Sequence, residues 1–494
     1  MNRSSLVTLT ILVVILIAPQ LSVEKQLAPM NNAFSHLGEG LVPNVPYVWQ
    51  EINGLCAWAA TSVAVQAAGV YLDLHDILAA TSVGLSFAYV RYNDTWLMYP
   101  GAIYMQAEPT QFLADLYGLN LTMYFDASTP SADQLVEVWE GRGINTEVLD
   151  GQDDALALMR STIDEGYPLL ISVNPAWLPA FDYDYLRDLG ATGGAHGILI
   201  VAYNDTDSSA TIIDPGVGSF GDNFGYPDDG RGNYTKITYT NLIQAWSDRY
   251  YITVLLKPGG TPAEDPSKFL GEYIRDRLLG TGTAYYADPN TAILWKFGEG
   301  AFRGLSEDFT IQALTEYFDI FTGMEGEQEF KTSLLIFLGL GLEAQVSLQY
   351  LAYRTGLEAL PGLIPDIDLA AFLTAGRQAL PHFEAITANS TLVYPNNLTA
   401  QNGPVASLFM GIADEYNSTG NLEAVLTAHQ TELGVVSDHL LGIADSWLAA
   451  GNALAEIWPN NPLVIFGPYL SLAAFAVGVL VAVVILYIRK TPSQ

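Results

Sequence analysis

The chain has one cysteine, Cys56, in 494 residues. A single thiol excludes an internal disulfide, so the fold has to be held by core burial rather than cross-links. Basic residues are scarce too: 20 Lys and Arg stand against 53 Asp and Glu, a formal charge of −33. That balance excludes a nucleic-acid-binding surface, which needs a clustered basic patch, and it disfavours adhesion to anionic lipid. No internal repeat is seen. Apolar residues, by contrast, are plentiful. Half of the chain is hydrophobic, enough for a large core, and the length suits two or three domains.

Both ends carry apolar runs. Residues 1–23 contain Asn2-Arg3 and then Leu6 to Ile17, the shape of a secretory signal. Ala18-Pro19-Gln20 is not a clean small-x-small cleavage site, so an uncleaved anchor is the alternative. Residues 463–488 include the uncharged run Tyr469 to Ile488, long enough to span a bilayer. Arg489 and Lys490 open a short tail, 489–494, that the positive-inside rule keeps in the cytoplasm. The expected location is therefore the cell membrane, single-pass, with the main domains outside. Asn93, Asn120, Asn204, Asn233, Asn389, Asn397 and Asn417 begin glycosylation triplets that agree with this.

Two dense blocks lie between the ends. The first, 43–257, opens with helical spacing at Leu55 to Val70 and continues with helices at Thr110 to Tyr117 and Asp153 to Glu165. Strand-type runs follow at Leu121 to Phe125, Leu169 to Val173, Ile198 to Tyr203, Ala210 to Ile213 and Ile252 to Leu256. Their order predicts an α+β domain. A Pro- and Gly-rich linker, 258–265, precedes the second block, 266–457. There, apolar residues recur every three or four positions, which predicts an all-α helical domain with a break near Gly434. Leu334 to Leu342 is very apolar but too short to span a membrane.

Cys56 follows the turn signal Asn53-Gly54 and starts the first helical run. A helix start favours a thiolate, which is the reactive form of cysteine. His196 stands after two glycines at the lip of an apolar strand, and Asp214 ends the next strand. An antiparallel pair of these strands brings Asp214 back to His196, where the carboxylate is expected to accept the Nδ1 proton and fix the tautomer. The roles read as nucleophile (Cys56), general base (His196) and orienter (Asp214). Gln50, with an uncharged side-chain amide, and the Cys56 N–H are the candidate oxyanion donors. The plain alternatives are a buried structural thiol, a strand-end histidine, a turn aspartate and a surface glutamine. The shared spacing favours the catalytic reading.

In order and spacing, Gln50, Cys56, His196 and Asp214 resemble papain-like cysteine peptidases; Cys56 and His196 are 140 positions apart (196 − 56). The stretches VPYVWQEINGLCAWAATSVAV, IDEGYPLLISV, GGAHGILIVAYNDTDSSATIIDP and TNLIQAWSDRYYITVLL look like the double-glycine-leader (bacteriocin-processing) peptidases. The layout is also similar to the butirosin-biosynthesis H-type proteins, which join such a domain to a helical one and transfer acyl groups. The resemblance implies a papain-like domain over about 43–257, a catalytic Gln, Cys, His and Asp, and a peptide or protein substrate. Two features depart from the family: Cys56-Ala57-Trp58 replaces the common Cys-Gly, and Gly216 to Gly232 is a glycine-rich acidic insertion. The leader peptidases act on the cytoplasmic side, fused to transporters, so their substrate does not carry over to a chain expected to face outward. No cofactor or metal is expected. Asp222, Asp228 and Asp229 read as a solvated loop rather than a calcium site, and His429 and His439 lie on different helix faces. Peptide or amide hydrolysis through a thioester is the expected reaction. Acyl transfer through the same thioester and an inactive binding module are the alternatives.

Overall fold

The computed structural model describes residues 38–459, apart from 93–94, 98–106, 131, 142, 181–182, 184–194, 217–231, 282–285, 289–292 and 394–400. The leader, the apolar run at 463–488, the tail and nearly all of the 216–232 insertion lie outside the described residues. In chain order the strands are β1 (Glu39–Leu41), β2 (Ala88–Tyr92), β3 (Thr95–Leu97), β4 (Leu119–Asp126), β5 (Asn145–Leu149) and β6 (Leu169–Val173). They continue as β7 (His196–Asn204), β8 (Ser209–Asp214), β9 (Gly232–Thr238), β10 (Thr253–Pro258), β11 (Tyr286–Asp288) and β12 (Ile293–Phe297).

The chain forms two compact units that interleave in sequence. Of the described residues, one holds those up to 74 and 118–261; the other holds 75–117 and those from 262 on. A sequence boundary at 258–265 lies close to the third crossing. The excursion at 75–117 carries no Pro- or Gly-rich signal at either end, because it enters and leaves through ordinary helices, Leu74–Ala80 and Ala107–Tyr117.

The first unit is built on a mixed sheet in the order β5-β4-β10-β6-β7-β8-β9, with β1 also paired to β7. Only β4 and β5 run parallel; the neighbouring pairs are antiparallel. Strand β7 lies at the centre and reads HGILIVAYN, buried almost throughout. A continuous apolar run of this kind is what a strand covered on both faces requires. The helix Cys56–Ala67 packs on β6, β7, β8 and β10. Its residues Trp58 to Val65 are all buried, which marks a helix enclosed on every side. Ala59, Ala60, Ser62 and Ala64 keep its surface low, and Ser62 Oγ donates to the Leu72 carbonyl at 2.6 Å.

The second unit is not all-α. Strands β11, β12, β2 and β3 form a four-stranded antiparallel sheet. Two of these strands come from the excursion, some two hundred positions from the others, and each is only three to five residues long. Segments that short give no usable periodicity. Around the sheet, Phe302 stacks on Phe87 at 4.3 Å and meets Trp447 and Phe383 edge-on. The central helix, Glu327–Leu363, has 37 residues. Among the described residues it alone is long and apolar enough to cross a membrane, and its most apolar window is 61 % buried within the fold. Lys331 and Glu343, which bracket the apolar stretch, are both buried and partnered. Lys331 pairs with Glu327 at 2.7 Å, and Glu343 accepts the N–H groups of Gly403 and Ala406 at the start of the helix Pro404–Thr419. The break expected near Gly434 falls at His429, between the helices Leu422–Ala428 and Gln430–Ile457, and Gly434 lies inside the latter.

Candidate active site

All four residues singled out by sequence belong to the first unit. Cys56 is the first residue of its helix. The N-cap, Leu55, offers no side-chain cap, and Gly54 takes the left-handed conformation (φ 102°) that turns the chain into the helix. The approach to this point is tied down at intervals. Val42 N–H donates to Val201 on β7, Val45 exchanges two hydrogen bonds with the Tyr234 hydroxyl, and Gln50 N–H donates to the Pro215 carbonyl at 3.0 Å.

The hairpin β7–β8 supplies the other two groups. Leu199 pairs with Ile213, so the end of β8 returns beside the start of β7. His196 Nε2 and Asp214 Oδ1 are 2.6 Å apart, with Asp214 fully buried and His196 7 % exposed. This is the length of a strong charge-assisted bond. The ring nitrogen differs from expectation: Nε2, not Nδ1, faces the carboxylate. The imidazole is also hydrogen-bonded to Cys56, and with Nε2 on the carboxylate the nitrogen left for the sulfur is Nδ1.

Electrostatics follow from this row. Burial pushes the Cys56 thiol up. The charge and hydrogen bond of His196, with the N–H groups of Gly197 and Ala57, outweigh burial, and the net direction is down. Burial likewise opposes a charged His196, yet the Asp214 carboxylate and the Cys56 thiolate raise it to about 10. Each ionised partner favours the other, so both shifts run toward a thiolate–imidazolium pair.

Two glycines allow the approach. A Cβ on Gly197 would lie 2.9 Å from Ala57 Cα, so the helix start rests directly on β7. A Cβ on Gly216 would lie 2.6 Å from His196 Cε1. Gly216 N–H also donates to Asp214 Oδ1 at 2.9 Å.

Gln50 is buried at 4 % exposure, and its side-chain Nε2 donates to Asn53 Oδ1 at 3.4 Å. The structure thus brings the cysteine, histidine and aspartate together and ties the Gln50 backbone to Pro215, the residue after Asp214. One participant had no sequence signal. Tyr183 donates its hydroxyl to Asp214 Oδ2 at 3.0 Å, and its oxygen lies 3.3 Å from His196 Nε2. It is one of 27 tyrosines in the chain.

A second buried network steadies the far end of the hairpin. Asp205 takes three bonds from Arg160 and one from the Tyr239 hydroxyl at 2.8 Å. Among the described residues, no group of three or more His, Cys, Asp or Glu side chains could hold a metal ion. Compared with models of known protein families and with curated proteins, the chain matches none.

Proposed function

We propose that this chain is a thiol hydrolase that cleaves peptide or amide bonds through a thioester on Cys56, in the manner of papain-like cysteine peptidases. What supports the reading is one observation: a thiol, an imidazole and a carboxylate stand in a hydrogen-bonded row in the order nucleophile, base, orienter. The thiolate attacks the carbonyl carbon and forms the S–C bond. His196 gives its Nδ1 proton to the leaving amine as the C–N bond breaks. Water then loses a proton to His196 and adds to the thioester. Breaking the S–C bond releases the acid and restores the ion pair. We further read the reaction as taking place outside the cell, on a chain held to the membrane by the apolar run Tyr469 to Ile488.

The test is digestion of a diverse peptide mixture by the full chain, read by mass spectrometry, with Cys56→Ala as control. Cleavage products are expected from the native chain and none from the variant, whose melting temperature stays close to the native one. Equal products from both chains, or an intact peptide pool with no acyl-enzyme, would overturn the proposal.

A further inference from the structure

A carboxylate is an unusually strong partner for a catalytic imidazolium. It carries a full charge, and Asp214 is fully buried, where charges act at close range with little screening. An unmoderated Asp214 would stabilise the imidazolium too strongly for its other proton, on Nδ1, to be passed to a leaving group, since proton transfer works best when donor and acceptor are matched. The geometry around Asp214 addresses this. Oδ1 is shared between His196 Nε2 and Gly216 N–H, and Oδ2 accepts the Tyr183 hydroxyl. The Tyr183 oxygen also lies 3.3 Å from His196 Nε2. Tyr183 is itself buried, and the two rings lie tilted, 5.9 Å between centres.

We propose that Tyr183 is a positioning residue that tempers Asp214: its hydroxyl draws charge from Oδ2 and so weakens the carboxylate's stabilisation of the His196 imidazolium. The inference rests on the thiol-hydrolase reading. Among the described residues, the charged or titratable groups facing His196 are Cys56 from the helix start, Asp214 from β8 and Tyr183 from the stretch after β6; Tyr47 donates to the Asp214 backbone carbonyl at 3.3 Å.

The experiment is alkylation of Cys56 by iodoacetate in the full chain as a function of pH. This anionic reagent reacts fastest when thiolate and imidazolium coexist, so the profile is a bell. Its acid limb reports thiol ionisation and its alkaline limb reports loss of the imidazolium proton. In Tyr183→Phe the alkaline limb is expected to move up by about 0.5–1 pH unit. In Asp214→Asn, which lacks the charge to be tempered, adding Tyr183→Phe is expected to move it no further. Site-specific 3-fluorotyrosine at position 183 is a stronger donor with nearly the same shape. It is expected to move the limb down, which serves where the phenylalanine variant folds poorly. An unchanged alkaline limb in both position-183 variants, or a downward shift in Tyr183→Phe, overturns the role of Tyr183 while leaving the hydrolase reading in place. A native chain with no bell, reacting as a free thiol near pH 8.5, overturns both.

Discussion

Replacing Gly197 by alanine tests whether contact between the helix and β7 sets the thiolate. Gly197 pairs with Ser172 in an ordinary strand register and is not among the residues with positive φ. Alanine therefore suits the backbone, and any effect is steric. The added methyl would meet Ala57 Cα at 2.9 Å, its Cβ at 3.2 Å and its N at 3.3 Å. Carbon pairs settle near 3.5–4.0 Å, so the helix start has to retreat by about 0.6–1 Å. Two consequences follow. Overpacking costs about 1–3 kcal/mol of stability. The retreat also lengthens the Gly197 N–H bond to the sulfur and the Cys56–His196 bond together, and misplacement on this scale lowers rates by up to about 100-fold. The assay is iodoacetamide alkylation of Cys56 from acid to alkaline pH, with a thermal melt on the same sample. The expected result is an acid limb moved toward the free-thiol range and a lower melting temperature. A variant that keeps the native pH profile and rate refutes the reasoning, because the thiolate would then owe nothing to this contact.

Stability should respond to pH through the coupled pair. His196, raised from 6.5 to about 10, contributes stability that is complete below pH 6.5 and is lost as pH rises toward 10. Cys56, lowered from 9.0, contributes stability that is complete above pH 9 and is lost as pH falls. Where the pH lies above 6.5 and above the lowered Cys56 value but below 9, the two slopes cancel, since the folded pair and the unfolded chain each hold one proton. Melting temperatures should therefore be flat for this pair over that window in the native chain. In Cys56→Ala they should decline across it, and parallel curves for the two chains would contradict the ion pair. Gly434→Ala offers a test of the corrected helix: the position lies inside Gln430–Ile457 with open space around its Cβ. Alanine should stabilise it by about 0.5–1 kcal/mol in chemical denaturation, and destabilisation would count against a continuous helix.

The central elements were legible because their sequences are insensitive to context. Leu169 to Val173 is a strand with those same bounds, and the apolar run after His196 can only be a covered strand. The helix at Cys56 announced itself by small apolar residues after Asn53-Gly54. The candidate site was legible to the level of residue type and strand pairing, since a short hairpin joins His196 to Asp214. The choice of ring nitrogen was not, because it depends on which side of the imidazole the β8 end arrives. Tyr183 was beyond reach, as a long-range hydroxyl contact leaves no local pattern. The small sheet of the helical unit was missed because its strands come from two distant segments. The His429 break was misplaced because glycine suggests a stop, whereas here the helix keeps Gly434 and ends its predecessor at a histidine.

The nucleophile and its partners enter the fold from opposite ends of the central sheet's sequence. Cys56 comes early, and the hairpin that activates it follows 140 positions later (196 − 56). Contacts this remote form late in folding, after local structure. Until β7 docks against the helix, Cys56 is an ordinary protonated thiol, slow to attack and slow to oxidise. With no other cysteine present, it also has no partner within the chain for a wrong cross-link. On the proposed reading, reactivity thus arrives together with the native structure, and the unfolded chain carries its thiol in the less reactive form.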